Sequence, residues 1–429
     1  MRLTDVAHLR LPFGRLMGYD LTPGVPGAAL PLSFDQRRHL GAGDRPGSWM
    51  ALTFTHPGPV DLEDLARAWR GVIARHGELR TAAVPDAQGR PQLHELPLGP
   101  GGWVEHEVGP GQAVHAALGD VLDAHCRPYA QPSHRLCAVL TADGPTLVIA
   151  SDHAHVDMWS MLVIARDLLA LLGSPRALAD AAPPAFTEHT AALEARPPAP
   201  AEIRERWSQV LAASGDVMPR FPLPLGDGER HPARVEVRDV LDVAGSEAYS
   251  RRAAGHEVST LALTVAAMTG VTRDLAAAPL RAVLPVHSRH DAAWHDSVGW
   301  FITNSVLEST DPDPRAASAA VKEAITLGSW PLADLLAPWG GMPEAPGMFA
   351  ISWLDLRRLP VRFDSVGLSA QYVSAQIHTD GVMIWFSLDE GGLHLRCRYP
   401  DTLTARENVG GWLDALVARM RELADSPTP

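Results

Sequence analysis

Two imidazoles and two carboxylates fall within six consecutive positions of the segment Ser151-Asp152-His153-Ala154-His155-Val156-Asp157-Met158-Trp159-Ser160. The apolar run Thr146-Leu147-Val148-Ile149-Ala150 precedes them and reads as a buried strand. After them, Met161 to Leu172 has the length and apolar content of a helix, with Gly173 as its stop. A strand-to-helix turn holds reactive groups on a rigid frame and leaves them open to a ligand. Titratable groups this close beside apolar elements perturb one another's pKa values, which marks functional sites.

Two chemistries fit the cluster. On an extended backbone His153, His155 and Asp157 share one face, offering imidazole and carboxylate donors as a catalytic zinc site needs. The string His-Ala-His-Val-Asp resembles the HxHxDH motif of metallo-β-lactamase-type hydrolases, but Met158 stands where that family has another ligand, and no framework for the remaining ligands appears elsewhere. In the other reading His153 and Asp157 form an HxxxD pair: His153, with an ordinary pKa near ~6.5, is a general base, and Asp157 is a structural anchor that need not touch it.

Composition narrows the field. The chain has 429 residues, 46% apolar and 20% charged, which fits a soluble globular protein with room for two or three domains. A net charge of -13 argues against non-specific nucleic-acid binding, which needs clustered cations. Cys126, Cys137 and Cys397 are odd in number and lack CxxC spacing, so neither a disulfide framework nor a zinc knuckle is indicated. Met1 to Tyr19 lacks a continuous apolar segment, and no window reaches the ~20 apolar residues that span a bilayer. A cytoplasmic enzyme or binding protein, without nucleic-acid or membrane partners, is the expectation.

The elements that must position the cluster follow from periodicity. Residues 1 to 30, rich in Gly and Pro, read as surface chain, and Ser33 as the cap of a short helix. A strand at Trp49 to Phe54 precedes an amphipathic helix carrying Leu62, Leu65, Trp69, Val72 and Ile73 at helical spacing. Gly77 suits the left-handed residue beyond that helix, leaving Glu78 and Arg80 just past its end. A helix at Ala113 to His125 and a strand at Arg135 to Leu140 complete the first half. Ser174 to Ala185 and Arg196 to Pro200 are candidate linkers around a short helix at Glu188 to Glu194. The second half carries strands at Ala233 to Leu241, Leu280 to Val286, Gly347 to Trp353, Val382 to Leu388 and Leu393 to Tyr399, with helices at Thr260 to Leu275 and Ala405 to Ala424. Both halves mix strands with helices, so two similar α/β lobes are expected.

With its flanks, Asp152-His153-Ala154-His155-Val156-Asp157-Met158-Trp159-Ser160 resembles the HHxxxDGxS core of nonribosomal peptide synthetase condensation domains and related acyltransferases. It departs from that core at Asp152, in place of the first His, and at Met158, in place of Gly. Other family signatures occur in the same order. Leu32-Ser33-Phe34-Asp35-Gln36-Arg37 resembles SxAQxR, and Arg75-His76-Gly77-Glu78-Leu79-Arg80-Thr81 is similar to RHExLRT. Phe186-Thr187-Glu188-His189 sits where an aromatic motif is expected, and Val298 to Ser305 resembles GxFxNT, without the Arg that usually follows. The resemblance implies an α/β (α+β) fold of two chloramphenicol acetyltransferase-like lobes, residues 1–178 and 179–429, set as a V around a tunnel with His153 at its centre. It further implies a free-standing member of the chloramphenicol acetyltransferase-like and polyketide-associated acyltransferase superfamily, acting in natural-product (antibiotic) biosynthesis.

The implied reaction transfers an acyl or aminoacyl group from an acyl or peptidyl carrier protein to a small-molecule amine or alcohol. No cofactor is permanently bound; a phosphopantetheine arm, or CoA, carries the substrate, and no metal is expected. His153 is the catalytic base. Asp157, as in the family, forms a buried ion pair that fixes the turn, with Arg80 the first choice of partner and Arg289 the second. Ser160 caps the following helix, the preferred reading, or binds near the tetrahedral intermediate; Asn304 bridges backbone between lobes, and His155 is structural. Met158, Trp159 and Trp300 line or narrow the substrate channel, with core packing an equal reading for Trp159 and Trp300. Asp152, a negative charge beside His153, should raise its pKa and shift activity to more alkaline pH. A catalytically idle carrier-docking module and the His153/His155/Asp157 metallohydrolase are the alternatives.

Overall fold

The strand expected at Thr146 to Ala150 runs Gly144–Asp152 with every residue buried, as a continuous apolar run covered on both faces should be. It is central to a seven-stranded sheet ordered Arg2–Asp5, Gln371–Ser374, Trp49–Thr55, Gly144–Asp152, His134–Thr141, Arg15–Pro23 and Leu98–His106. This is seen in a computed structural model that describes residues 1–178 and 181–426. A small sheet of Ala29–Leu30, Pro91–Glu95 and Thr81–Pro85 completes the strands of this part.

The chain forms two compact units: residues 1–195, 289–301 and 359–376 in one, and 196–288, 302–358 and 377–429 in the other. The sequence reading divides the chain at 178/179, and residues 179 and 180 lie outside the described residues. Contacts instead carry the first unit on to 195 and recruit two later segments. The segment 359–376 joins because Gln371–Ser374 pairs with both Arg2–Asp5 and Trp49–Thr55.

Residues 1 to 30 are not loose surface chain, for Arg15–Pro23 pairs with two neighbours. Gly18 hides the alternation that would have revealed it. A Cβ there would lie 2.6 Å from the His106 ring and 2.7 Å from the Arg135 guanidinium, so the glycine marks a close approach within the strand.

In the second unit a seven-stranded sheet runs Ile302–Ser309, Leu280–His287, Phe349–Asp355, Val382–Asp389, Gly392–Pro400, His231–Leu241 and His378–Thr379. Its core packs Ile351, Ile384, Phe386 and Leu395 of the sheet against helical Met268, Leu413 and Leu416. Trp412, on helix Leu403–Asp425, is fully buried there and its indole N–H donates to Thr272 Oγ1 at 3.2 Å. The helices Ala201–Ala213, Val243–Gly255 and Pro314–Leu327 were not expected. Pro314–Leu327 buries Ala317, Val321, Ala324 and Leu327, a stripe half made of alanine, which weakens the hydrophobic period.

Candidate active site

Asp157 opens helix Met158–Gly173 as its N-cap, taking the Ser160 N–H on Oδ1 at 2.7 Å. The cap expected of Ser160 therefore belongs to Asp157. Asp157 is 1% exposed and also accepts from Arg289 Nη2, which lies 3.1 and 3.2 Å from its two oxygens, and from the Phe301 N–H at 3.1 Å. The ion-pair partner is thus Arg289, not Arg80, which lies exposed at the end of the 3-10 turn Gly77–Arg80. Gly77 begins that turn and is not a left-handed cap, although Glu78 and Arg80 do lie beyond the helix.

Arg289 is 2% exposed. It donates from Nη1 to the Trp294 and Ser297 carbonyls at 2.8 and 2.6 Å, and from Nη2 to Ser160 Oγ at 2.7 Å. Its guanidinium lies 3.8 Å from the Phe301 ring centroid and 5.2 Å from that of Trp159, a cation–π arrangement. Burial pulls its pKa below the usual guanidinium value, and Asp157 opposes that pull. Ser160 Oγ also exchanges hydrogen bonds with the Gly299 carbonyl and N–H, at 2.8 and 3.0 Å. These bonds explain why residues 289–301 belong with the turn.

Gly299 is dictated by the same packing. A Cβ on it would sit 2.4 Å from both Cβ and Cγ of Phe186, itself 2% exposed and edge-on to Phe301 at 4.7 Å. Gly299→Ala should destabilise the protein by ~1–3 kcal/mol, as overpacking does; urea unfolding that matches wild type would disprove this contact.

The two earlier motifs meet beneath the turn. Gln36 donates from Nε2 to the Ala154 carbonyl at 2.9 Å and to Glu78 Oε1 at 3.1 Å. Glu78 Oε1 also lies 3.2 Å from His155 Nδ1, which is 3.1 Å from Thr81 Oγ1. Burial raises the Glu78 pKa above the usual carboxylate value, with His155 and Gln36 acting against it. His155 is 1% exposed and held at Nδ1 by these contacts. Glu78 and Gln36, like Asp35, His76 and Thr81 of the same motifs, are buried, whereas Arg80 is exposed.

His153 is half-buried. Its main-chain N–H donates to the Ser48 carbonyl at 3.1 Å. Ring Nδ1 is buried without a hydrogen-bond partner beyond the pull of the residue's own carbonyl, which leaves Nε2 as the nitrogen that reaches solvent. Trp300 stacks on the ring with centroids 4.2 Å apart and planes 30° apart, so Trp300 covers the base rather than standing off in a channel wall.

Asp152 pulls the His153 pKa upward, as expected, but other influences outweigh it. It is fully buried and turned toward His39 Nε2 at 3.0 Å, Ser48 Oγ at 2.5 Å and the Ala154 N–H at 2.9 Å. Burial disfavours its charge, but the His39 and Ser48 hydrogen bonds prevail and hold its pKa below the usual carboxylate value. The pKa of His153 is lowered from 6.5, first by burial and then by His39, with weaker opposition from Asp152 and Asp157. The neutral, proton-accepting ring therefore persists below the ordinary value. A rate that needs this base should hold until pH falls below about 6.5, then drop as the ring protonates. An acid limb centred above 6.5, in a pH–rate profile with chemistry rate-limiting, would contradict this.

The other expected residues are placed as follows. Trp159 is 7% exposed and donates its indole N–H to the His295 carbonyl at 3.0 Å, which makes it a packing group. Met158 is half-buried at the first position of its helix, and its carbonyl accepts the Tyr372 hydroxyl. Asn304 belongs to the second unit, opposite Pro285. The zinc reading finds no support here: His155 Nδ1 is engaged by Glu78 and Thr81, and Asp157 by Arg289. Among the described residues no group of three or more His, Cys, Asp or Glu could hold a metal ion.

No protein-family model matches the chain. Solved structures of the same fold do. The PapA2 acyl transferase superposes with a TM-score of 0.87 at 18% identity, covering 99% of this chain and 100% of that one. The first condensation domain of the calcium-dependent antibiotic synthetase gives 0.72 at 18% identity, over 94% and 98% of the two chains. The condensation domain of the Monacolin K polyketide synthase MokA gives 0.68 at 16%, over 94% and 99%.

In sequence, nonribosomal peptide synthetase fso1 of Omphalotus olearius is 30% identical over 156 residues, 33% of this chain and 3% of that protein. The non-canonical synthetase CymA of Salinispora arenicola is 32% identical over 152 residues, 32% of this chain and 2% of that protein. The chain thus matches only a small fraction of these much longer synthetases. It has the condensation-domain fold: two chloramphenicol acetyltransferase-like lobes of mixed α/β structure. No helix among the described residues is long and apolar enough to cross a membrane.

Proposed function

We propose that the protein is an acyltransferase of the condensation type, moving an acyl or aminoacyl group from a carrier-protein thioester to a small-molecule amine or alcohol. The observation that carries this reading is His153: a half-buried imidazole with Nε2 toward solvent and a lowered pKa, on a turn locked by the Asp157–Arg289 pair. As the acceptor N–H or O–H attacks the thioester carbonyl, Nε2 takes its proton; the C–S bond then breaks and the imidazolium returns the proton to the departing thiolate. The phosphopantetheine arm, or CoA, enters as part of the substrate and not as a resident cofactor. Free buried Cys126, Cys137 and Cys397 agree with work in a reducing cytoplasm.

The test is a panel of acyl thioesters on carrier protein and on CoA, offered with amine and alcohol acceptors and read by product mass. Amide or ester formation that tracks protein concentration supports the proposal. No transfer from any donor, with carrier protein still bound, would favour the idle docking module.

A further inference from the structure

We propose that His39 is a positioning residue of this site: it supplies from helix Phe34–Gly41 a second imidazole beside His153, at the point where Asp152 stands in place of the first histidine of the HHxxxDGxS core, and acts by holding Asp152. The proposal rests on the reading of His153 as the base. His39 lies 113 residues from Asp152 in the chain, and no motif singles it out.

The hydrogen bonds fix its form. Arg45 Nη2 approaches His39 Nδ1 at 3.2 Å, and because a guanidinium only donates, Nδ1 accepts and the ring proton sits on Nε2. That Nε2–H points at Asp152 Oδ1 at 3.0 Å and Oδ2 at 3.3 Å. Arg45 also donates from Nη1 to the His39 and Gly43 carbonyls, at 3.0 and 2.9 Å, which holds the end of the short helix in place. Asp152 therefore has three donors, from His39, Ser48 and the Ala154 N–H, as a fully buried carboxylate requires.

Two of those three partners hold the main chain beside the base. Ala154 follows His153 directly, and Ser48 supplies the carbonyl that receives the His153 N–H. Without the His39 donor, Asp152 would turn or protonate to satisfy its oxygens, and the Ala154 bond that fixes the direction of the imidazole would weaken. His39 also meets Trp300 edge-on, with centroids 5.4 Å apart at 80°, while Trp300 stacks on His153. One ring thus braces both the main chain and the stacked face of the base.

The experiment compares His39→Leu, His39→Gln, Asp152→Asn and the His39→Leu/Asp152→Asn double variant. It follows acyl transfer from the best thioester of the panel, and imidazole nitrogen signals by NMR of the whole protein labelled with ¹⁵N-histidine. His39→Leu should lower kcat by about tenfold to a hundredfold, the scale of a small misplacement of a reacting group, with KM nearly unchanged. His39→Gln, which keeps an N–H near the Nε2 position, should recover most of the loss. The double variant should be no worse than the poorer single variant, since the two residues act as one unit.

By NMR, His39 should carry its proton on Nε2, and His39→Leu and Asp152→Asn should each shift the His153 ring signals. Wild-type kcat in His39→Leu, or additive losses in the double variant, would overturn the proposal. Unmoved His153 signals in both single variants would do so too, and that result stands even if no thioester is turned over, in which case it is the reading of the reaction that has failed.

Discussion

Asp157→Ala is expected to destabilise the protein by ~3–5 kcal/mol, the usual cost of leaving one member of a buried ion pair without its partner. Three losses coincide at this carboxylate. Arg289, 2% exposed, keeps its carbonyl and Ser160 contacts but loses the carboxylate with which it forms its buried ion pair. The helix Met158–Gly173 loses its N-cap, alone worth ~1 kcal/mol. The Phe301 N–H loses its acceptor. Asp157→Asn, which keeps an oxygen for the cap but no charge, should fall between the two, and it carries the test if the alanine variant does not fold. Arg80→Ala should change stability by less than ~0.5 kcal/mol, as exposed positions do. Urea unfolding of these variants separates the outcomes. An Asp157→Ala protein that unfolds like wild type yet has lost activity would mean that the carboxylate acts in the chemistry and not as an anchor.

The turn itself was legible because its signals are local. A buried run ending at Asp152 and an apolar stretch after Asp157 leave little room for another arrangement, and the strand and helix extend only two or three residues beyond the expected bounds. What surrounds the turn was less legible, because it is assembled from distant chain. Sequence alone ranks Arg289 second as the partner, because Arg80 lies in a recognised motif and nothing in a sequence reports that it faces solvent. The buried carboxylate two positions earlier, Glu78, carries no periodic signature that sets it apart from Arg80. Adjacency in sequence suggests that Asp152 faces His153, yet successive residues of an extended segment point to opposite sides; its carboxylate meets His39 instead. Ser160 lost the cap to Asp157, three residues earlier, a choice that the spacing alone left open. Strand Arg15–Pro23 was missed because Gly18 and Pro23 resemble turn residues, although the glycine serves close packing.

His153→Ala should lower the rate of acyl transfer by ~10²–10⁴, the usual contribution of a positioned general base. What remains would come from holding the two substrates together. The fold should survive, because the ring is half-buried, makes no hydrogen bond beyond its own residue, and gives up chiefly its stack on Trp300. That stack is worth ~0.5–1.5 kcal/mol, so the two proteins should melt within a few degrees of each other. His153→Gln should not restore the rate, since an amide nitrogen cannot take up the proton. The decisive measurement is the single-turnover rate of acyl transfer in wild type and His153→Ala, at saturating donor and acceptor and at a pH where the wild-type base is neutral. A ratio of a hundred or more between two equally folded proteins is the predicted result; a ratio near one would contradict the assignment of His153 as the base.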